Sequence, residues 1–332
     1  MERTRRGPSS IDVAKRAGVS QSAVSRAFSG ASVSEETRRR IMSAAEELGY
    51  RPNALARVIS QQSNLIGVVM GEITNPFYPE VLEALLLELE SQGLRVLLKH
   101  LDGAQNADAA IEEVLAYRVR GVIVTSSFVS AAMAEHCAAS DVPVVLFNRH
   151  IRDVKISSIS CDNVDAGRMV ANLFLDSGHK RPAFISGNAV ATSNLDRKKG
   201  FLDRISERGG GTVPVLGNEH SYAVGAASMR ELLALPQRTD AVFCASDVIA
   251  FGALDALREA GIPVPREISI VGFDDIPMAA WAAYDLTTIR QPRRRMVREA
   301  VETLVARIYG APLGTISLVP GELVMRGTLR KA

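Results

Sequence analysis

The sequence from Ser9 to Arg26, SSIDVAKRAGVSQSAVSR, decides how the first part of this chain folds. Ser9 and Asp12 have the spacing of a capping box, which predicts that a helix begins there. Gly18 stands where a turn between two helices needs a positive φ, which glycine adopts without strain. Ser20 is placed to cap a second helix. The pattern therefore predicts two helices joined by a tight turn.

Four apolar residues of this stretch are spaced to meet between the two helices: Val13, Ala17, Val19 and Val24. The outer face of the second helix is then left with polar residues: Gln21, Ser22, Ser25 and Arg26. Gln pairs with adenine edges and Arg with guanine edges, and each pair contributes about 1–3 kcal/mol of base discrimination. We favour a DNA-reading helix over a surface hairpin with a glycine turn, because cap, turn and outer face all agree.

A third helix is predicted between Ser34, which can cap its start, and Gly49, which can end it. Its expected apolar stripe consists of Ile41, Met42, Ala45 and Leu48. Three arginines on this helix, residues 38–40, are candidates for phosphate contacts or for a solvated face. The next segment, from Pro52 to Ser60, predicts a helix too short to be stable alone. We expect it to form only against a partner and DNA.

Composition narrows the class of protein further. The 332 residues allow two or three domains. Residues 1–60 contain 11 Lys+Arg and 6 Asp+Glu, whereas the remainder contains 28 and 31, so the basic end is the expected nucleic-acid end. The three cysteines, Cys137, Cys161 and Cys244, show no metal-binding spacing, and we expect free thiols, no metal and no cofactor. Without a secretory signal or membrane segment, the expected location is the cytoplasm.

From Asn64 onwards, short apolar runs alternate with helical patterns, which is typical of parallel strands buried between helix layers. The alternation occurs twice and predicts two doubly wound halves. In such sheets ligands bind beyond the carboxyl ends of the strands. Polar residues at these ends are therefore candidate ligand contacts: Ser126, Ser127, Asn148, Ser246, Asp247 and Asp274.

From about Ser9 to Leu329 the chain resembles the lactose/galactose-repressor (LacI/GalR) family. The motifs that carry the resemblance are Asp12-Val13-Ala14, Ala17-Gly18-Val19-Ser20, Val24-Ser25-Arg26, Val33-Ser34-Glu35-Glu36-Thr37-Arg38, Glu47-Leu48-Gly49-Tyr50-Arg51-Pro52-Asn53-Ala54, Ile73-Thr74-Asn75-Pro76-Phe77-Tyr78, Asp162-Asn163, Gly178-His179, Arg197 with Gly200-Phe201, Ser246-Asp247, Val271-Gly272-Phe273-Asp274-Asp275 and Leu286-Thr287-Thr288-Ile289.

The resemblance implies an N-terminal all-α helix-turn-helix domain with a hinge helix, followed by an α/β domain of two periplasmic-binding-protein-like lobes with doubly wound parallel sheets. The expected boundaries are residues 1–50 for the helix-turn-helix domain, 51–63 for the hinge helix and linker, and 64–332 for the effector-binding and dimerisation domain. Within the last, the N-lobe comprises about 64–161 and 291–319, and the C-lobe about 162–290 and 320–332.

The resemblance also implies roles for particular residues. The second helix lies in the major groove, and the hinge helix pushes an apolar side chain into the minor groove and kinks the DNA. That position is Ile59 here, whereas family members usually have leucine, and a β-branched side chain is stiffer. The expected DNA contacts are Ser9, Ser20, Gln21, Ser22, Ser25, Arg26, Arg57 and Ile59.

In the cleft, the resemblance implies that Arg197 and Asp274 bind effector hydroxyls, the alternative for this pair being a structural salt bridge. Phe77 is the implied cleft wall, and His220 falls where members often have an aromatic that stacks on the ligand. The expected effector contacts are Phe77, Ser126, Asn148, Arg197, His220, Ser246 and Asp274. We expect Asp247 to cap a helix, Asp275 to act as a cap or lobe contact, and the run 293–295 to form a solvated face.

These observations together predict a dimeric transcriptional regulator that binds a near-palindromic DNA operator and a sugar-like effector. No heptad tail follows residues 324–329, so a tetramer is not expected. A periplasmic sugar-binding protein and an enzyme are the alternatives. The predicted DNA-reading helix argues against a periplasmic sugar-binding protein. The absence of nucleotide-binding, metalloprotease and serine-hydrolase motifs argues against an enzyme. Repression or activation, inducer or corepressor, the operator and the effector all stay open.

Overall fold

The computed structural model describes residues 8–29, 32–50, 64–71, 73–101, 107–125, 130, 132–133, 135–136, 142–150, 156–312, 314 and 316–330. The chain divides into two compact units, residues 1–63 and 64–332. Each unit has a hydrophobic core of its own: Val13, Val24 and Ile41 are buried in the first, and two larger clusters lie in the second.

The described residues of the first unit form three helices: α1, Ser10–Ala17; α2, Gln21–Ser29; and α3, Glu35–Leu48. The capping box is confirmed, since the Asp12 N–H donates to the Ser9 hydroxyl and the Asp12 carboxylate accepts from the Ser9 N–H. Gly18 has a φ of 63° in the turn, and Gly49 has the same φ at the end of α3. The predicted helix-turn-helix is therefore present.

The expected stripe on α3 is wrong at one position. Ile41 and Ala45 are buried and Leu48 is partly buried, but Met42 is 40% exposed and Ala44 is buried instead. Positions 41, 44, 45 and 48 share one face of a helix with 3.6 residues per turn, whereas position 42 lies about 100° around it.

The second unit contains two six-stranded sheets. The first has the order β11-β5-β4-β3-β1-β2 and the second β12-β10-β9-β8-β6-β7. The strands of the first sheet are β1 Leu65–Met70, β2 Arg95–His100, β3 Gly121–Val124, β4 Val144–Phe147, β5 Ser157–Cys161 and β11 Ile316–Val319. Those of the second are β6 Pro182–Ile185, β7 Val215–Leu216, β8 Ala241–Cys244, β9 Ser269–Asp274, β10 Thr287–Arg290 and β12 Glu322–Val324. Every pairing described is parallel except that of β10 with β12.

Seven α-helices cover these sheets in the described part of the chain: α4 Phe77–Ser91, α5 Ala107–Leu115, α6 Asn163–Asp176, α7 Thr192–Glu207, α8 Tyr222–Ala234, α9 Asp247–Glu259 and α10 Arg293–Ile308. Helices α4, α5 and α10 contact the first sheet, and α8 and α9 contact the second. None of the described helices combines the length and the apolar composition that a bilayer crossing needs. The predicted α/β fold with doubly wound parallel sheets is confirmed.

The chain passes between the sheets three times. It leaves the first sheet after β5 and returns from β10 of the second sheet to α10, which packs on β3, β4 and β5. It crosses again between β11 and β12, which belong to different sheets. We keep the names N-lobe for the part around the first sheet and C-lobe for the part around the second. Each lobe is therefore built from discontinuous segments of the chain, and three crossing segments join the two lobes.

Helices α6 and α7 approach each other closely through two glycines. A Cβ added to Gly167 would lie 2.3 Å from the carbonyl oxygen of Arg197, and one added to Gly200 would lie 2.0 Å from that of Val164. Any side chain there would separate the helices. The contact also holds Arg197 of α7 beside Asn163, the first residue of α6.

We predict that Gly200→Ala destabilises the second unit. Alanine raises helix propensity by about 1 kcal/mol over glycine, but overpacking costs about 1–3 kcal/mol. We expect a cost at the upper end of the overpacking range, because the new methyl group would clash with backbone atoms of Val164, which cannot rotate away as a side chain can. Urea denaturation should show a lower free energy of unfolding than for the unmutated chain. Gly211→Ala, where an added Cβ meets nothing within 4 Å, is the control. Equal stability of the Gly200→Ala protein would contradict the close-contact argument.

Candidate DNA-reading helix and effector cleft

Helix α2 exposes its polar residues while its apolar residues hold it in the first unit. Ala23, Val24 and Ala27 are buried, and the N–H of Ala23 donates to the Ser20 hydroxyl at 3.2 Å, which confirms the predicted cap. The side chains that point to solvent are those predicted to read bases: Gln21, Ser22, Ser25 and Arg26. The arrangement gives a rigid polar edge that can enter a DNA groove.

Several of the predicted DNA contacts also bind within the unit. The Gln21 side-chain amide donates to the Ser10 hydroxyl at 3.1 Å, and the hydroxyls of Ser20 and Ser22 lie 2.9 Å apart. The Ser9 hydroxyl donates to the Asp12 carboxylate at 2.7 Å. The hydroxyls of Ser9 and Ser20 therefore take part in helix capping, and any contact with DNA has to be made in addition.

Two arginines of α3 have a structural role that the sequence did not indicate. Arg38 donates to the carbonyl of Ala27 near the end of α2, and Arg40 donates to the carbonyl of Ala17 at the end of α1. Cations at helix C-termini bind carbonyl oxygens that have no partner inside the helix. We expected these arginines either to contact phosphates or to form a solvated face, and neither expectation includes these hydrogen bonds.

Three other predicted contacts lie outside the described residues: Arg57 and Ile59, expected at the DNA, and Ser126, expected at the effector.

Arg197 is the most deeply buried cation of the C-lobe cleft. Only 3% of the residue is exposed. Its Nε donates to Asn163 at 2.7 Å, its Nη1 donates to the carbonyl of Ala245 at 2.6 Å, and its guanidinium stacks 3.4 Å from the centre of the Phe273 ring. Burial lowers the pKa of Arg197, and the charge of Asp274 acts in the opposite direction.

Asp274 ends β9 with a φ of 121°, a conformation that aspartate rarely adopts. Its carboxylate accepts from the Gln291 side chain at 2.7 Å and from the Asn75 side chain. Burial raises its pKa, and Arg197 opposes that rise. Within the described residues no ion pair joins Arg197 to Asp274, so the alternative of a structural salt bridge is not what the structure shows. The two charged groups are neighbours that keep separate partners.

The expected cap of α9 is wrong by one residue. Ser246 is the N-cap, and its hydroxyl accepts from the N–H of Ile249. Asp247, the first helical residue, instead accepts from the Thr288 hydroxyl at 2.5 Å and the N–H of Ile276 at 2.9 Å. Burial raises the pKa of Asp247 well above its ordinary value, and Asp274 raises it further. The Ser246 hydroxyl, expected to contact an effector, thus has a capping role.

His220 lies at the carboxyl edge of the second sheet rather than on the surface. A Cβ added to Gly187, two residues beyond β6, would lie 2.2 Å from its ring. The ring nitrogen Nδ1 is buried and has no hydrogen-bond partner among the described residues. Burial and the nearby charge of Arg197 lower the pKa of His220 to about 4. The imidazole is therefore neutral at neutral pH and faces the same region as Arg197.

The N-lobe side of the cleft and the segments that cross between the lobes contain both predicted and missed residues. Phe77 begins α4 but is only 1% exposed, so it belongs mainly to the core. Asn148 follows β4 with a φ of 58° and a buried side-chain oxygen that has no partner among the described residues. Sequence reasoning assigned no role to Asn75, Thr125, Asn163 and Gln291. Asn75 and Asn163 belong to the family motifs named above, and Gln291 directly follows strand β10. Their positions in the sequence could therefore have marked all three as candidate cleft residues.

Two expectations for the crossing region have clear outcomes. Asp275 pairs with Arg290 at 2.6 Å and with Arg326 at 2.7 Å, both in the C-lobe, so its side chain is neither a helix cap nor a contact between the lobes. The run 293–295 is a solvated face only at Arg294 and Arg295. Arg293 pairs with Glu80 of α4, because its position at the start of α10 turns the side chain inward.

Comparison with known proteins agrees with this geometry. A family profile described as "Bacterial regulatory proteins, lacI family" matches residues 11–53, and one described as "Periplasmic binding protein-like domain" matches residues 171–329. The HTH-type transcriptional regulator AscG of Escherichia coli K12 is 31% identical, with 96% of this chain and 97% of the relative covered. The HTH-type transcriptional repressor CytR of the same strain is 31% identical, with 96% and 95% covered.

Solved structures give the same result. The lac repressor dimer bound to operator and the anti-inducer ONPF is 28% identical, with a TM-score of 0.86 over 97% of this chain and 99% of that one. The complex of the transcriptional regulator CelR with cellobiose is 29% identical, with a TM-score of 0.74 over 97% and 99%.

A helix-turn-helix unit joined to a two-lobed α/β unit defines a class of DNA-binding regulators whose second unit has the fold of periplasmic binding proteins. The chain belongs to the lacI family of bacterial regulatory proteins. It is a DNA-binding transcriptional regulator, and the relatives named above are regulators rather than enzymes.

We predict that His220 makes stability fall as the pH decreases from about 6.5 to about 4. The unfolded chain binds a proton at this histidine near pH 6.5, whereas the folded chain does so only near pH 4. Protonation in that window therefore favours unfolding. Urea denaturation at pH 7.5 and 5.0 should show a smaller loss of stability for His220→Gln than for the unmutated protein.

The exposed histidine of β2, replaced in His100→Gln, is the control and should show the same loss as the unmutated protein. An equal pH dependence for His220→Gln and the unmutated chain would show that His220 is not buried in its neutral form.

Proposed function

We propose that this regulator is a repressor of a carbohydrate-utilisation operon and that a small sugar-like effector, bound between the N-lobe and the C-lobe, controls it. Paired helix-turn-helix units and hinge helices of a homodimer bind a near-palindromic operator in the proposal. The observation that supports it most is a set of buried polar atoms at the carboxyl ends of the strands.

Four of these atoms have no hydrogen-bond partner among the described residues: Thr125 Oγ1, Asn148 Oδ1, His220 Nδ1 and Gln291 Oε1. A buried polar atom left without a partner costs about 1–3 kcal/mol. The cost is tolerated most readily where a ligand supplies the missing bonds. The residues follow strands β3, β4 and β10 or lie at the end of β6, and these ends belong to both lobes.

The chemistry of this set favours hydroxyl groups. Asn148 Oδ1 and Gln291 Oε1 can only accept hydrogen bonds, while the hydroxyl of Thr125 can donate or accept. Arg197 and Asp274 add a charged donor and a charged acceptor. A polyhydroxylated molecule offers a donor and an acceptor at each hydroxyl, and its ring faces can pack on His220. Among the relatives, the structure of CelR holds cellobiose, which agrees with this choice.

The DNA-binding part of the proposal rests on α2. Gln21, Ser22 and Arg26 lie on its exposed edge, and we propose that they read bases in the major groove. Ser9, Ser20, Ser25 and Arg57 are proposed contacts to the DNA backbone or bases, and Ile59 is the proposed minor-groove wedge. The lac repressor structure, a dimer bound to operator, supports this assignment.

Exposed apolar residues of the second unit support dimerisation. Leu87 of α4 is 64% exposed and Leu98 of β2 is 45% exposed on the N-lobe, and Trp281 is 58% exposed on the C-lobe. Single exposed apolar side chains are ordinary on a protein surface, whereas a contiguous apolar patch marks an interaction surface. We propose that they contact a second copy. We also keep residues 1–50, 51–63 and 64–332 as the proposed functional divisions, and the cytoplasm, at the nucleoid when DNA is bound, as the proposed location.

The DNA-reading proposal predicts that Arg26→Ala weakens binding to a selected DNA site by about 1–3 kcal/mol and relaxes one base position. DNA fragments selected from a random pool by the full-length protein provide the site, and fluorescence anisotropy measures the affinity. Arg16→Ala, which removes an exposed arginine of α1 that pairs with Glu47, is the control. A loss that is uniform across all base substitutions would contradict base reading by Arg26.

The effector proposal predicts a ligand-dependent rise in melting temperature. Sugars, sugar acids, phosphosugars and nucleobases are tested, since a ligand at about 100 times its Kd adds about 2.7 kcal/mol to the stability of the unit that binds it. Asp274→Asn should abolish the shift, because the amide loses the charge and one acceptor. Glu259→Gln, the same chemical change in an exposed pair with Arg230, should keep it. A shift that survives Asp274→Asn would place the ligand elsewhere.

A further inference from the structure

Arg293 contacts both lobes with one side chain. It is the first residue of α10, directly after the segment by which the chain leaves the C-lobe sheet. One of its terminal nitrogens, Nη2, pairs with the Glu80 carboxylate of α4 in the N-lobe. The other, Nη1, donates to the carbonyl oxygens of Asp274 and Asp275 at 3.4 and 3.3 Å in the C-lobe. The planar guanidinium can bind in these two directions at once.

The ion pair is largely shielded from water. The side chains of Arg293 and Glu80 are 22% and 28% exposed, and the second carboxylate oxygen of Glu80 is buried without a hydrogen-bond partner among the described residues. Salt screens such a pair less than one on the surface. Removing either partner leaves the other charge partly buried and uncompensated, which is a larger perturbation than the loss of an exposed pair.

Asp274, whose carbonyl oxygen accepts from Arg293, makes a second contact with elements of the N-lobe through its side chain. The Asp274 carboxylate accepts from Asn75, which precedes α4, and from Gln291, which precedes α10. The backbone and the side chain of Asp274 are thus both bound to elements that lead into the N-lobe. Asp274 is also a proposed effector ligand. An effector that donates a hydrogen bond to this carboxylate has to compete with Asn75 or Gln291 at the joint between the lobes.

We infer that Arg293 is a positioning residue that, through Glu80, holds the Asp274–Asp275 segment against α4 and so links the effector site to the N-lobe helix that carries Leu87. The link to the effector rests on the proposed function, but the pairing of the lobes does not. When an effector engages Asp274, the segment moves, the geometry of the Arg293–Glu80 pair changes, and α4 responds. Helix α4 leads directly to β2, the edge strand that carries Leu98.

The neighbouring arginine offers a matched comparison. Arg295 lies on the same helix two residues later, is exposed, and pairs with Glu299 one turn along α10. Its ion pair stays within one helix, and the other bond of Glu299, accepted from the Ser317 hydroxyl of β11, stays within the N-lobe. Arg295→Met therefore removes a cation of the same kind from α10 without touching the contact between the lobes.

The test is hydrogen exchange by mass spectrometry on the full-length protein, with no effector and no DNA. We compare Arg293→Met, Glu80→Gln, the double variant and Arg295→Met. Each of the first two should accelerate exchange about five- to tenfold both at the start of α4 and in residues 273–277. The double variant should exchange no faster than the faster single variant, because the two residues act as one pair. Arg295→Met should leave both segments unchanged.

Additive effects of the two substitutions, or changes confined to α10, would overturn the inference. If Arg293→Met lowers the melting temperature so far that the protein does not fold, Arg293→Lys replaces it. Lysine keeps a charge opposite Glu80 but lacks the planar guanidinium that binds in two directions. Hydrogen exchange should therefore accelerate more in residues 273–277 than in α4. Equal rises in both segments would also overturn the inference. Since no effector or DNA is present, failure here is separate from failure of the proposed function.

Discussion

The burial of the Arg197 guanidinium is the constraint on which the effector cleft depends. Removing a charged group from water is costly, and the protein offsets that cost with two hydrogen bonds, an aromatic ring and nearby carboxylates. Each offset comes from a different element: Asn163 from α6, Ala245 from the end of β8 and Phe273 from β9. Glycines 167 and 200 let α6 and α7 come close enough for the first of these bonds. The packing of the C-lobe helices therefore determines where the Arg197 charge lies in the cleft.

The charges around Arg197 are arranged so that none of the carboxylates in the described part of the chain neutralises it in a closed pair. Asp274 binds Gln291 and Asn75, and Asp247 binds Thr288 and the backbone of Ile276. Burial raises the pKa of both carboxyl groups, and Asp274 raises the pKa of Asp247 further. A ligand with hydroxyl groups can bind between such groups without first breaking a salt bridge. Because Asp274 also bonds to Asn75 and Gln291, which lead into the N-lobe, the proposed effector contact and the contact between the lobes share the same atoms.

The sequence predicted features set by local backbone geometry, such as the capping box at Ser9 and the turn at Gly18, because only a few residue types satisfy them. It also predicted strands with continuous apolar runs. Strand β5 lies outside such runs, because serine occupies three of its five positions and these buried serines do not match an apolar pattern. The bonds of Arg40 and Arg293 were missed for another reason. Their partners are 23 and more than 200 residues away, so no local pattern indicates them.

The central claim is that the DNA-reading unit and the cleft are energetically coupled. The most direct measurement is the affinity of the full-length protein for its selected DNA site, by fluorescence anisotropy, with and without a saturating ligand found by thermal melting. Coupling predicts a change of about 5- to 150-fold, and the same factor when ligand affinity is measured with and without DNA. Equal DNA affinities in the presence and absence of a ligand that binds at Asp274 would contradict the account.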